Sequence, residues 1–337
     1  MANSRKDKQG SRFGGLLRRL RGEESPRRRA VLAWVGWIVL IVGLGAGAGV
    51  GLRRLERQVM TNRTIHVPAA IRVQIMATPG WMPVPVAQEL SRELTPAGLD
   101  FHDEKAASAV FGLGQSSPWV RRMIRVRKRL SDDPRVGLIE VEAEYRQPIA
   151  KVLHDGAEHF VDAQAVRLPA EQVPRWAVRV RPAGEAVRLV CFVEADELPP
   201  AVQAESIHYI AIDGVAAVPP PVGQPWQGQD VAAALRLIRL VCTRPYANQV
   251  TVVDVRNHGG RISRSEPQLR MYAQVGRGRR TDIRFGRFPV PEGGDYEVAP
   301  ERKMSYLDTY AQEKGGLLAG MNEYIDLRFD ELRVSID

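Results

Sequence analysis

Between Arg121 and Arg129, six of nine side chains are basic, inside the stretch "SPWVRRMIRVRKRLSDD" (Ser117–Asp133). Cations at that density are the residue types that grip a phosphate backbone or another acidic polymer. Two other groups could ligate a metal: His102-Asp103-Glu104, and His154-Asp155 with Glu158-His159. Neither has the His-Glu-x-x-His spacing that sets two imidazoles on one helix face. Solvated loop residues are therefore expected at both places. "VGRGRRTD" (Val275–Asp282) contains Gly-x-Gly, but it lies between two strand patterns. A phosphate cradle needs a helix N-terminus after the glycines, so a hairpin turn is expected instead. No Gly-x-Ser-x-Gly nucleophile elbow occurs. These residues call for no catalytic set, metal or cofactor, and the chain reads as no enzyme. Paired carboxylates brought together by folding remain an open alternative.

The elements around the basic stretch give it a second meaning. "GLIEVEAEYRQPIA" (Gly137–Ala150) alternates: Ile139, Val141, Ala143 and Tyr145 share one face, Glu140, Glu142 and Glu144 the other. The same period puts Ile124 and Val126 on one face of the basic run and Arg125, Arg127 and Arg129 on the other. "SDDPRVG" between them is rich in turn residues. A symmetric hairpin would pair Arg127 with Glu142 and Arg125 with Glu144. Opposite charges across strands contribute roughly 0.2–1 kcal/mol each, so they favour the register without creating the fold.

Net charge points the same way. The 337 residues hold 48 Lys/Arg and 39 Asp/Glu, but residues 1–29 alone hold ten and three. The remainder is close to neutral, and its average field does not steer a polyanion. No nucleic-acid or small-molecule partner is expected. The basic tail precedes "AVLAWVGWIVLIVGLGAGAGVGL" (Ala30–Leu52), 23 residues without a charge. As a helix this reaches roughly 34 Å, enough for a bilayer core. The excess of Lys/Arg before it places residues 1–29 in the cytoplasm and the rest outside. A cleaved signal is the rival reading, with Ala46-Gly47-Ala48 as its small residues. The apolar run exceeds a usual signal core, so an uncleaved anchor is expected. Gly43, Gly47 and Gly51 repeat at the spacing that lets two helices approach closely, a route to weak self-association. Glycines are also common in such spans. Cys191 and Cys242 would then lie in an oxidising space where a bridge can form, although each sits in an apolar run and burial accounts for both.

The exported part divides in two. Residues 66–145, after a connector over 53–65, read strand–helix–helix–strand–strand: "IRVQI", then a helix on Val86, Leu90 and Leu94, a weaker one from about Asp103 to Gly112, then the two charged strands. Residues 146–337 are strand-rich. They contain a helix over "GQDVAAALRLIRLVC" with Asp230 as its cap, another over "PERKMSYLDTYAQ", and a closing strand "YIDLRF" (Tyr324–Phe329) with Ile325, Leu327 and Phe329 on one side. The fold class is α+β: one transmembrane helix, a small α/β module, and a β-rich domain with flanking helices. A terminal strand often forms a sheet edge, whose unpaired N–H and C=O groups a partner's extended segment can complete. A strand covered by its own domain is the equal alternative.

These features together resemble the FtsQ/DivIB family of bacterial cell-division proteins. "PWVRRMIRVRKR" and "GLIEVEAEYRQPIA" are similar to the run that ends the family's POTRA module. "HFVDAQAVRLP" resembles its Val-Asp segment, and "IRFGRFP", "RKMSYLDTYAQ" and "YIDLRF" follow in family order. Ala165 stands where the Val-Asp segment usually has Gly, residues 175–213 fit the pattern poorly, and Phe329 replaces a frequent Tyr. The resemblance implies a non-enzymatic scaffold of the division machinery in the inner membrane at the septum. It implies single-span coiled-coil partners of the FtsB/FtsL (DivIC/FtsL) kind, with a partner strand added along Tyr324, Ile325, Asp326, Leu327, Arg328 and Phe329. An anchored enzyme of cell-wall polymer and a POTRA-bearing secretion component are the competing classes.

Overall fold

The computed structural model describes residues 26–63, 70–133, 135–180, 188–198, 203–289, 297–320 and 322–335. The chain forms two units, Met1–Val67 and Pro68–Asp337. The first contains α1 (Pro26–Arg63), whose stretch Trp34–Glu56 is long and apolar enough to cross a membrane. Trp34, Trp37, Leu44 and Leu52 are exposed along it. The helix continues past Leu52 because nothing from Arg53 to Arg63 breaks it, so most of the expected connector is helical; its last two residues lie outside the described residues.

The second unit is mixed α and β. It opens with β1 (Ala70–Ile75), α2 (Val84–Glu93), α3 (Ala106–Ser116), β2 (Val120–Leu130) and β3 (Val136–Tyr145). The three strands form one sheet in the order β1-β3-β2, with β1 parallel and β2 antiparallel to β3. Pro83 fixes the entry of α2, and Val86 and Leu90, one turn apart, are buried. They meet Val110 of α3 and Ile139 and Val141 of β3 in one apolar cluster. Each such side chain contributes about 1.5–3 kcal/mol by burial.

This cluster does not stop at Tyr145. It includes Phe160, Leu168 and Val173, and Trp119 at its centre donates from Nε1 to Gln172 Oε1 at 2.6 Å. The two halves expected as separate modules therefore share a core.

The hairpin β2–β3 sets arginines beside glutamates, in a register that differs from the symmetric one. The turn centres near Asp133, whose carbonyl accepts Val136 N–H and whose carboxylate accepts Arg135 N–H. Every partner moves two residues: Arg125 lies opposite Glu142 and Arg127 opposite Glu140. Irregularities between Val120 and Arg122 and between Met123 and Arg125 shift it once more, to Arg122 opposite Glu144. They also take Ile124 out of the alternation. Met123 is buried in its place, while Ile124 is half exposed.

The remaining strands are β4 (Ala150–His154), β5 (Ala157–Val161), β6 (Trp176–Val180), β7 (Arg188–Phe192), β8 (Glu205–Ser206), β9 (Ile210–Asp213), β10 (Val250–Asp254), β11 (Leu269–Ala273), β12 (Thr281–Gly286), β13 (Tyr324–Asp326) and β14 (Arg333–Val334). Strands β6–β8 make a small sheet, which is where the poorly fitting segment 175–213 mostly goes. The others form an eight-stranded sheet in the order β14-β13-β12-β11-β10-β9-β4-β5. Parallel neighbours need a long crossover. Helix α4 (Asp230–Cys242) carries the chain from β9 to β10, and α5 (Pro300–Glu313) from β12 to β13. Val231, Leu235 and Ile238 of α4 are buried, whereas Cys242, expected to be buried, is exposed. Asp230 is the first helical residue rather than the cap; its carboxylate accepts Ala216 N–H and pairs with Arg261.

Candidate functional site: the β13–β14 edge

The expected docking strand is shorter and better covered than its alternation implied. Only Tyr324–Asp326 form β13, held between β12 and β14. Ile325 pairs with Ile283 on one side and Val334 on the other. The terminal strand of the sheet is therefore β14, because the chain turns back after Phe329 and adds a last pair of residues. Ser335 locks this return: its Oγ accepts Glu323 N–H at 2.8 Å and its N–H donates to Tyr324 O at 3.1 Å.

The six residues of the expected site separate by burial. Ile325 and Leu327 are fully buried against Met304 and Leu307 of α5. Asp326 is also buried. Tyr324 and Arg328 are half-buried, and Phe329 is 36% exposed. Only Tyr324, Arg328 and Phe329 have surface to offer. Sequence alternation missed β14, since a two-residue strand carries no period. The serine after it, which ties it back, was the available signal.

Arg328 is largely occupied inside the protein. Its guanidinium donates from Nη2 to Asp326 Oδ2 at 2.7 Å, and from Nη1 to Ser265 O at 2.7 Å. Burial alone would push the Asp326 carboxyl up. The hydrogen bonds and charge of Arg328, with Arg284 nearby, outweigh it and hold that carboxyl below its ordinary value. Behind it, Lys303 is fully buried, donating to Phe285 O at 2.7 Å, to Arg287 O at 3.2 Å and to Glu297. Burial lowers its pKa against the opposing pull of Glu297. Gly286, at φ 88°, ends β12 here, where a Cβ would meet Glu297 and Arg328.

An open cleft of about 420 Å³ lies beside this network, lined among others by Arg264, Glu266, Arg287, Glu297 and Arg328. Glu266 pairs with Arg270, and Glu297 with Lys303. Of its arginines, Arg328 is held by Asp326 and Ser265, and Arg287 lies 3.7 Å from Glu297. On the outer side, Phe329 lies under the Arg333 guanidinium, 3.9 Å from ring centre to Cζ, and Tyr324 under Arg284 at 4.1 Å. Such stacks hold aromatic faces flat at the surface.

The other chemistry-bearing residues disperse. His102 N–H and Lys105 N–H bond to Asp100 and Asp103 in loop turns. Glu158 and His159 lie in β5 and not in the loop expected: Glu158 pairs with Lys151 at 2.6 Å, and His159 lies tilted against the Trp226 ring. Among the described residues no three His, Cys, Asp or Glu side chains come together as a metal site. "GRGRR" is the β11–β12 turn. Cys191 and Cys242 are both free thiols, and burial pushes that of Cys191 up.

Compared with protein-family models and with curated proteins, the chain gives no match.

Proposed function

We propose that this chain is a membrane-anchored, non-enzymatic scaffold of the FtsQ/DivIB type, with Val136–Tyr145 closing a POTRA-like module and the eight-stranded sheet serving as the partner-binding β domain. One observation carries the reading. The short strand Tyr324–Asp326 is followed by a two-residue edge strand, so among the described residues the sheet ends in unpaired backbone flanked by exposed Phe329 and Arg333. An extended segment from a single-span coiled-coil partner of the FtsB/FtsL kind would add there, one strand further out than the sequence suggested. Support also comes from the N-terminal helix, whose length suits an anchor in the bacterial inner membrane with the C-terminal part outside.

The test is photocrosslinking in living cells, with the crosslinker at Phe329 or Arg333 of the full chain. Capture of small single-span proteins from both positions, and not from Phe111 on α3, is expected. Septal localisation with no such capture would overturn the edge proposal. Turnover of cell-wall polymer by the purified chain would overturn the scaffold reading itself.

A further inference from the structure

The small sheet β6–β8 belongs to the segment that fits the family pattern poorly, and it walls a cleft of its own. The cleft holds about 390 Å³ between β7, the residues just after β8, the flank of α4 and Trp81. Small-molecule sites occupy roughly 300–1,000 Å³. Trp81, Leu189, Ile207 and Tyr209 give it an apolar wall. Leu189 is 46% exposed, so the fold leaves part of that wall uncovered. Burial pushes the Tyr209 phenol and the Cys191 thiol up, as dry surroundings do.

The polar groups of the cleft are unequal. The Tyr209 hydroxyl donates to Pro174 O at 2.9 Å, and the His208 ring bonds through Nε2 to Val250 O at 2.8 Å. Both are engaged within the fold. Arg239 is exposed on α4, and its Nε donates to Leu235 O of its own helix at 3.3 Å. Among the described residues lining the cleft there is no carboxylate, and Arg239 is the only permanent charge. A guanidinium offers a carboxylate two parallel N–H donors. Beside an uncovered apolar wall, it complements a molecule with a hydrocarbon body and one anionic head. A volume this small takes one short chain or a fused ring pair, not the two long chains of a membrane lipid.

We propose that this cleft binds a small hydrocarbon carboxylate, with the body against Trp81, Leu189 and Tyr209 and the carboxylate on Arg239. The inference rests on the β6–β8 side of the molecule and is independent of the scaffold reading.

Cys242 supplies the readout. It lines the same cleft three residues after Arg239, and its thiol is free and exposed. The reduced full chain, in nanodiscs of zwitterionic lipid, is treated with N-ethylmaleimide, and labelling of Cys242 is followed by mass with and without a probe. The probes are naphthoate and, below its micelle concentration, decanoate. Both should slow the labelling, decanol less and decylammonium not at all. Arg239→Glu should weaken protection by the two carboxylates about tenfold, the size of one charge-assisted hydrogen bond, and leave that by decanol unchanged. Arg236→Glu, on the same helix but stacked on Phe288 and outside the cleft, should change nothing. Absence of protection by both carboxylates would overturn the proposal. So would protection that survives Arg239→Glu, or equal protection by decylammonium, since either shows apolar partition without an anion site.

Discussion

Two arginine–carboxylate arrangements sit at two sheet margins and do opposite work. On β2–β3, Arg125 pairs with Glu142 at 2.5 Å with both side chains well exposed, 49% and 37%. After β13, Arg328 pairs with Asp326 at 2.7 Å with exposures of 24% and 5%. The first pair lies in solvent above an open backbone. The second is sunk beside buried Lys303 and joins β13 to Ser265. Charge alone therefore does not mark a binding surface. Where the arginine is buried it organises the fold, and where it is exposed it adds little to the hairpin it sits on.

The sharpest way to break this comparison is to put a charge under β13. Leu327→Glu places a carboxylate among α5 side chains, and a loss of more than about 4 kcal/mol is expected, seen as failure to fold or a collapsed Tm. Partner binding is no clean readout for this position, although the family resemblance implied Leu327 as a contact. Arg127→Glu should leave Tm within about 0.5 kcal/mol of the parent chain. A folded, stable Leu327→Glu protein would show that β13 is not the core strand described.

Asp326→Asn comes next, at about 1–3 kcal/mol, because Arg328 loses its charged acceptor in a half-buried place. Its pH dependence has a definite sign. The Asp326 carboxyl is depressed in the folded chain, chiefly by Arg328 working against burial. Its contribution is complete above the unfolded value near 3.9. It disappears as pH falls through the lower folded value. Denaturation curves of the two proteins should converge below about pH 4 and stand apart at neutral pH. A constant gap down to pH 2 would mean that Asp326 acts through shape and not charge.

These two residues also show what the sequence could and could not reveal. The alternation of Ile139, Val141 and the three glutamates was legible because a half-buried strand imposes period two, and the hairpin formed as read. Its register was not, because a turn shifted by one residue and two strand irregularities leave no mark in composition. Helices α2 and α4 were legible from apolar spacing. Strands β4, β5 and β14 were not: the first two are five-residue segments broken by Asp155-Gly156, and the last is two residues long. The open edge was placed on "YIDLRF" because a strand near the chain's end invites it, and the return of Arg333–Val334 moved it outward.

Ala165 tests the far margin of the eight-stranded sheet, just after β5. It sits at φ 61°, in a turn where Asp162 accepts Gln164 N–H and Val166 N–H. The Gly expected there from the family resemblance would adopt this backbone without strain. The left-handed conformation costs a non-glycine residue roughly 1–2 kcal/mol, and glycine returns part of that through a freer unfolded chain. Ala165→Gly should raise stability by about 1 kcal/mol. A drop in Tm would place the constraint in the Ala165 methyl's packing instead.

The smallest effect separates the two arginines most finely. A double-mutant cycle on Arg125→Gln and Glu142→Gln should give a coupling of about 0.2–1 kcal/mol, as exposed pairs do. That coupling should fade as salt rises, because the Debye length falls from about 10 Å at 0.1 M to about 3 Å at 1 M. The matching cycle on Asp326→Asn and Arg328→Gln should give a larger coupling that salt barely changes, since half-buried groups are screened less. Equal couplings with equal salt dependence would mean that burial does not distinguish the two margins. A coupling confined to Asp326–Arg328 would leave the β2 arginines contributing little to the hairpin.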